Sequence, residues 1–184
     1  EILIGFGILF LGMALMKEAI EPLEDSQIFI DIISNFNNPF IGILAGFGIT
    51  ALLQSSSATT GLLLAVAGSG LITVEMAFPI VFGQNIGTCV TAMISSIGAN
   101  KTARRAAVMH LLFNLIGTAI FLIVLRKPVE TLVFMITPTG IERQIANANT
   151  LFNIINVAIM DPFDNQIVKA SKKIIRGEDM PKEG

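Results

Sequence analysis

The chain has 184 residues, of which 53% are apolar and 14% charged, and its formal net charge is −2. That charged share lies well below the roughly 25% of an average soluble domain, and the near-neutral balance carries no basic signal for nucleic acid. A single cysteine, Cys89, excludes an intrachain disulfide framework and a Cys-x-x-Cys metal site.

The charges are also unevenly placed. No Asp, Glu, Lys or Arg occurs from Ile32 to Val74, from Met76 to Asn100, or from Ala106 to Leu125. A spanning helix needs about 20 apolar residues to cross about 30 Å of hydrocarbon. Each stretch is long enough, and none has the charged outer face of a soluble core helix. The sequence therefore predicts an all-α integral membrane protein.

The first apolar segment, Ile2 to Met16, predicts a helix whose Gly5, Gly7 and Gly12 allow close packing in lipid. It lacks the initiator Met and basic flank of a signal peptide. Its start in mid-helix leads us to expect further sequence before Glu1. Lys17 to Asn38 then combines a connector rich in acids, including Glu24 and Asp25, with an interfacial amphipathic helix over 28–36. Ile28, Phe29, Ile32, Ile33 and Phe36 form its apolar face. Asn37-Asn38-Pro39 closes that helix.

Residues 39–73 predict a broken helical hairpin. Apolar residues run to Leu53, Gln54-Ser55-Ser56-Ser57-Ala58-Thr59-Thr60 interrupts them, and the run resumes to Ala67 before Gly68-Ser69-Gly70. Neither half is long enough to cross comfortably alone, as in the discontinuous helices of transporters. Residues 76–98 predict a second broken helix, with Pro79 weakening it and Gly83-Gln84-Asn85-Ile86-Gly87-Thr88 as its polar break. After the basic loop Lys101, Arg104, Arg105 comes a spanning helix over 106–125. A connector with Pro128 and Pro138 runs from Arg126 to Arg143. A last helix covers 145–160, and 161–184 is a basic tail or linker carrying Lys169, Lys172, Lys173 and Arg176. The excess of Lys and Arg places the 101–105 loop and this tail on the cytoplasmic side.

The serine run carries the chemistry. Successive residues of a helix point about 100° apart, so Ser55, Ser56 and Ser57 cannot share one face of an unbroken helix. Serines and threonines can instead bond back to their own helix, but three in succession after a glutamine fit a backbone break better. Irregular backbone at membrane depth is tolerated only in protein or beside a cavity. There, hydroxyl and carbonyl oxygens suit a desolvated Na⁺, while a helix N-terminus suits an anion. Asn85 and Thr88 form a candidate second wall. Asn114 and Asn153, in the similar stretches Leu112–Ile116 and Leu151–Ile155, read as bonds between helices, and His110 as a satisfied structural histidine. No Asp, Glu, Lys or Arg in the long apolar stretches marks a proton pathway. An anion bound there would need helix dipoles and co-bound cations for neutralisation.

These motifs resemble a known family. Gln54-Ser55-Ser56-Ser57-Ala58-Thr59-Thr60, preceded by Gly48-Ile49-Thr50-Ala51, resembles the signature of the sodium/phosphate cotransporter family (type II, with its bacterial relatives). Gly83-Gln84-Asn85-Ile86-Gly87-Thr88 resembles its Gly-Ala-Asn-Ile-Gly-Thr segment, and His110-Leu111-Leu112-Phe113-Asn114 also fits its pattern. The resemblance runs from about Gly5 to Glu178.

It implies two inverted repeats, each with one serine-rich break, with Na⁺ and phosphate bound between them. One such break is present, so the chain looks like the second repeat, needing the missing repeat or a second, inverted copy. The implied substrate and ion site is Gln54, Ser55, Ser56 and Ser57, joined by Thr59, Asn85 and Thr88, with Na⁺ on Gln54 and the three serines. The implied activity is sodium-coupled phosphate symport by alternating access, in a plasma or inner membrane, with no resident cofactor. A domain like the phosphate-uptake regulator is the implied continuation of the basic tail. Asn149 stands where the family often has histidine, and Gln84 where it has alanine.

Two other classes compete. One is a phosphate-binding membrane sensor or scaffold without flux. The other is a membrane serine hydrolase, but the serines lack a Gly-x-Ser-x-Gly elbow and the single histidine has no orienting carboxylate nearby in sequence.

Overall fold

A computed structural model describes residues 2–23 and 26–177. The Glu24–Asp25 step, the Phe29 side chain and the predicted tail beyond 177 lie outside the described part. Among the described residues every regular element is helical: α1 Ile2–Ile20, α2 Gln27–Ser34, α3 Pro39–Leu53, α4 Ser56–Gly68, α5 Val74–Ser95, α6 Lys101–Ile120, α7 Arg126–Ile136, α8 Ile141–Met160 and α9 Asp164–Ile174. Short 3₁₀ turns precede α3 and α9, and one follows α1. Val74–Ser95 and the continuous 36-residue run Lys101–Ile136 are long and apolar enough to cross a membrane, so the protein is an α-helical membrane protein as its sequence predicts.

Asn38 starts α3, accepting the Phe40 N–H at 3.0 Å, with Pro39 at the first helical position. In α2, Ile33 is buried and Ile28 and Ile32 are exposed. The long axis of the fold is the contact of α3 with α5. A methyl group at Gly46 would run into the Ile80 carbonyl, one at Gly83 into the Ile43 carbonyl, and one at Gly87 would lie 2.7 Å from Thr50 Cβ. Gly42–Gly46 and Gly83–Gly87 are thus two small-x-x-x-small pairs facing each other, letting two backbones approach in parallel. Four phenylalanines from α5, the π turn and α8 close the core: Phe78, Phe82, Phe121 and Phe152, with the last two ring centroids 4.6 Å apart.

Three sequence expectations need correction. First, α5 is unbroken through Gly83–Thr88. Its glycines serve contact with α3, and the Asn85 and Thr88 side chains bond back to Val81 O (2.8 Å) and Gln84 O (3.0 Å). Pro79 does remove a hydrogen bond to Glu75 O, but Arg126 Nη2 donates to that carbonyl at 3.2 Å and restores it. Second, Arg126–Ile136 is helix rather than connector. Pro128 would clash with the carbonyl four residues back, and a π turn over Phe121–Leu125 absorbs the misfit. Third, the predicted tail holds an ordered helix, α9. Its Ile167 and Ser171 are buried against α6, and Arg105 donates to the carbonyls of Ile175 (3.1 Å) and Gly177 (2.5 Å).

Candidate functional site

The chain breaks where three serines follow Gln54. Gln54 adopts φ 52° and ψ 27°, the single non-glycine residue with positive φ among the described residues. A left-handed turn costs a non-glycine residue about 1–2 kcal/mol, so the surrounding packing must hold it. Its N–H still bonds Thr50 O at 2.8 Å, ending α3. Ser55 is extended and caps α4, its Oγ accepting the Ala58 N–H at 3.2 Å.

The remaining N–H groups of the first turn, on Ser56 and Ser57, have no partner among the described residues. The first N–H groups of any helix lack intrahelical acceptors, and together with the helix dipole they form a positive end. Thr59 supports this end without being part of it: 2% exposed, it donates its hydroxyl to Ser55 O at 3.0 Å.

This helix end opens into a cleft of about 1100 Å³ between α1, α4, α5, α6 and α8. α4 folds back beside α5 and contributes Ser55, Ser56, Ser57 and Thr60. α5 contributes Gln84, Asn85 and Thr88, α6 His110 and Asn114, and α8 Asn149 and Asn153. α1 supplies an apolar wall of Ile8, Leu9, Met13 and Met16. Among the described residues no Asp, Glu, Lys or Arg lines the cleft.

The carboxamides are oriented by their own helices. Asn85 Nδ2 donates to Val81 O, Asn114 Nδ2 to His110 O at 3.1 Å, and Asn153 Nδ2 to Asn149 O at 2.8 Å. Spending the N–H groups on backbone leaves the Asn85 and Asn114 carboxamide oxygens without donors among the described residues. The cleft therefore holds two kinds of group. Neutral oxygens on α5 and α6 can coordinate a hard cation, as carboxamide and hydroxyl oxygens do for Na⁺. Backbone N–H groups on α4 can receive an anion.

Of the residues singled out from sequence, Ser55, Ser56, Ser57, Asn85 and Thr88 meet in this cleft. Gln54 does not line it; its exposed side chain stands outside the turn that its backbone makes. Thr59 does not line it either.

Sequence reasoning missed Gln84 and Thr60 as site residues. Gln84 is only 2% exposed; its Oε1 accepts the Thr60 hydroxyl at 3.4 Å and its Nε2 has no partner. Helical spacing was the available signal: Gln84, Asn85 and Thr88 share one face of α5. His110, expected to be a satisfied structural residue, is exposed at the cleft and makes no side-chain hydrogen bond among the described residues. Asn114 does bond across helices, to Cys89 Sγ at 3.4 Å, whereas Asn153 bonds within α8 and borders the cleft.

Comparison with known proteins adds an independent line. Residues 8–141 match the sequence model of the Na⁺/Pi-cotransporter family. YqeW of Bacillus subtilis, an uncharacterized protein, is 29% identical over 88% of this chain and 52% of its own length. YjbB of Escherichia coli, described as a putative inorganic phosphate export protein, is 27% identical over 95% of this chain and 32% of its own. Human sodium-dependent phosphate transport protein 2B is 34% identical over 77% of this chain and 21% of its own. The chain thus spans about half or less of the length of these curated relatives. No solved structure gave a significant match.

Proposed function

This chain belongs to the Na⁺/Pi-cotransporter family, and on that premise we propose that its cleft forms half of a site for sodium-coupled phosphate transport across a plasma or inner membrane. The observation that carries the proposal is the N-terminus of α4. Among the described residues its Ser56 and Ser57 N–H groups have no partner, and they border a cleft lined by neutral oxygens.

Phosphate is the anion of this proposal, held by those amides and by the Ser56 and Ser57 hydroxyls, with Thr60, oriented by its bond to Gln84 Oε1, beside them. Asn85, Asn114 and Thr88 supply oxygens for Na⁺. An anion in a low-dielectric cleft without Lys or Arg needs a counter-charge. A co-bound Na⁺ supplies it, and this is the physical basis of coupling: each ion lowers the cost of burying the other.

The remainder of the transport unit is a second, inverted repeat, from the rest of the protein or from another copy, closing on the exposed side of the cleft. Alternating access is then the rocking of one half against the other about a site near the bilayer midplane. The relatives named for phosphate export and for sodium-dependent phosphate transport fit one site run in opposite directions. A serine hydrolase is disfavoured, because His110 bonds none of the serines among the described residues.

The test is uptake of labelled phosphate by the complete protein in liposomes under an imposed Na⁺ gradient. Uptake should require Na⁺, and Ser56→Ala should sharply reduce it without loss of insertion. Uptake indifferent to Na⁺ defeats the coupling, and phosphate binding without flux defeats transport.

A further inference from the structure

α9 carries a second feature, outside the cleft. Lys169, Lys172 and Lys173 lie on one side of the helix, at spacings i, i+3 and i+4, opposite the buried Ile167 and Ser171, and Arg176 follows just beyond the helix end. The Arg105 bonds to the Ile175 and Gly177 carbonyls fix the depth of this row, setting its far end level with Arg105. The charge-free stretch of α6 begins at the next residue, Ala106. Cations are costly in hydrocarbon and long Lys side chains snorkel toward the interface. The far end of the row therefore lies at headgroup level, beside the exposed Lys101 and Arg104, and Lys169, six residues before Ile175, lies about 9 Å deeper, within reach of the interface by snorkelling.

Below it lies an apolar groove of about 410 Å³ between α6, α8 and α9, walled by Leu112, Ile116, Ile120, Met160, Phe163 and Ile167. At 1.5 Å per residue it spans about 12 Å along α6, from Leu112 to Ile120. Gln166 is its polar member on α9, and Lys169 and Lys173 stand three and seven residues beyond Gln166 on the same side of that helix. The acids of the region, Asp161 and Asp164, border a different depression, with Met109, His110 and Phe113.

We infer that this groove and the cationic row above it form one binding site for an anionic phospholipid. An acyl chain fills the groove, and the phosphate headgroup bonds Lys169 and Lys173. Charge complementarity at the mouth selects an anionic headgroup over a zwitterionic one. The inference does not depend on what the cleft transports.

The test is native mass spectrometry of the complete protein in mild detergent, given equal phosphatidylglycerol and phosphatidylcholine. Phosphatidylglycerol should be retained preferentially. A cation near an anionic lipid is worth about five-fold in affinity, so the Lys169→Gln/Lys173→Gln variant should lose the preference by an order of magnitude or more. Ile116→Trp, which fills the groove, should shed both lipids, and melting curves should show both variants folded. Equal retention of the two lipids by the unaltered protein overturns the inference, as does a preference that survives in Lys169→Gln/Lys173→Gln. Undiminished lipid retention in Ile116→Trp, as expected if another protein segment covers the groove, overturns it too.

Discussion

Replacing Ser56 by proline isolates a single backbone donor. Ser56 is the first residue of α4, and its N–H has no protein partner among the described residues. Proline is well accommodated at a first helical position because its missing N–H is one that the helix leaves unused. The preceding residue must be extended, and Ser55, at φ −146° and ψ 107°, already is. The fold should therefore tolerate Ser56→Pro, and a proline at a compatible position adds about 0.4–1 kcal/mol by restricting the unfolded chain. The bound anion, in contrast, loses a charge-assisted hydrogen bond worth about 1.5–3 kcal/mol. That corresponds to roughly a 10- to 150-fold rise in KM for phosphate. Ser56→Ala removes the hydroxyl and keeps the amide, so the further loss from alanine to proline measures the amide alone. The assay is the initial rate of phosphate uptake in liposomes, alongside thermal melting. A KM for Ser56→Pro equal to that of Ser56→Ala, with melting unchanged, refutes the role of the α4 N-terminus.

Gln84→Leu should separate binding from stability in the same way. The buried, unpaired Nε2 costs the empty protein about 1–3 kcal/mol, so leucine should leave melting unchanged or raise it while phosphate KM rises at least several-fold. A fall in melting temperature with unaltered KM would make Gln84 purely structural. Gly46→Ala and Gly83→Ala each push a methyl group into a backbone carbonyl of the partner helix. A loss of about 1–3 kcal/mol or more is expected from the strain, read as a lower melting temperature. Arg126→Met should cost about 0.5–1.5 kcal/mol by removing the hydrogen bond to the Glu75 carbonyl. In a Pro79→Ala background that cost should shrink, because the new N–H at position 79 can reach the same carbonyl; a double-mutant cycle of melting free energies reads the coupling.

The break at Gln54 was legible because three adjacent serines violate the periodicity of any regular helix facing lipid. The glycines of α5 misled for a physical reason. Glycine both loosens a helix and permits close approach, and only the facing pair Gly42 and Gly46 on α3 shows which use applies. Pro128 read as a terminator because the π turn that accommodates it leaves no composition signal in Phe121–Leu125. The basic stretch after Asp161 read as a tail because its charges outweigh the sparse apolar row of Ile167 and Ala170 that α9 presents to its neighbours.

Within the site, Ser55, Ser56, Ser57, Asn85 and Thr88 were recognisable as polar groups in apolar surroundings. Gln54 was recognisable too; it supplies the left-handed turn, and its exposed side chain is not among those lining the cleft. Thr60 was read only as part of the serine motif and Gln84 only as a departure from the family's alanine, because their significance is pairwise. A hydroxyl on α4 and a carboxamide on α5, 24 residues apart, meet only once the hairpin has folded back.

An anomalous-scattering map of the complete protein with arsenate, a heavier phosphate mimic, in the presence of Na⁺ locates the anion without reference to activity. The account predicts one peak in the cleft, with oxyanion oxygens about 2.7–3.2 Å from the Ser56 and Ser57 amide nitrogens. A peak elsewhere, with those two amides facing only solvent or lipid, would contradict it.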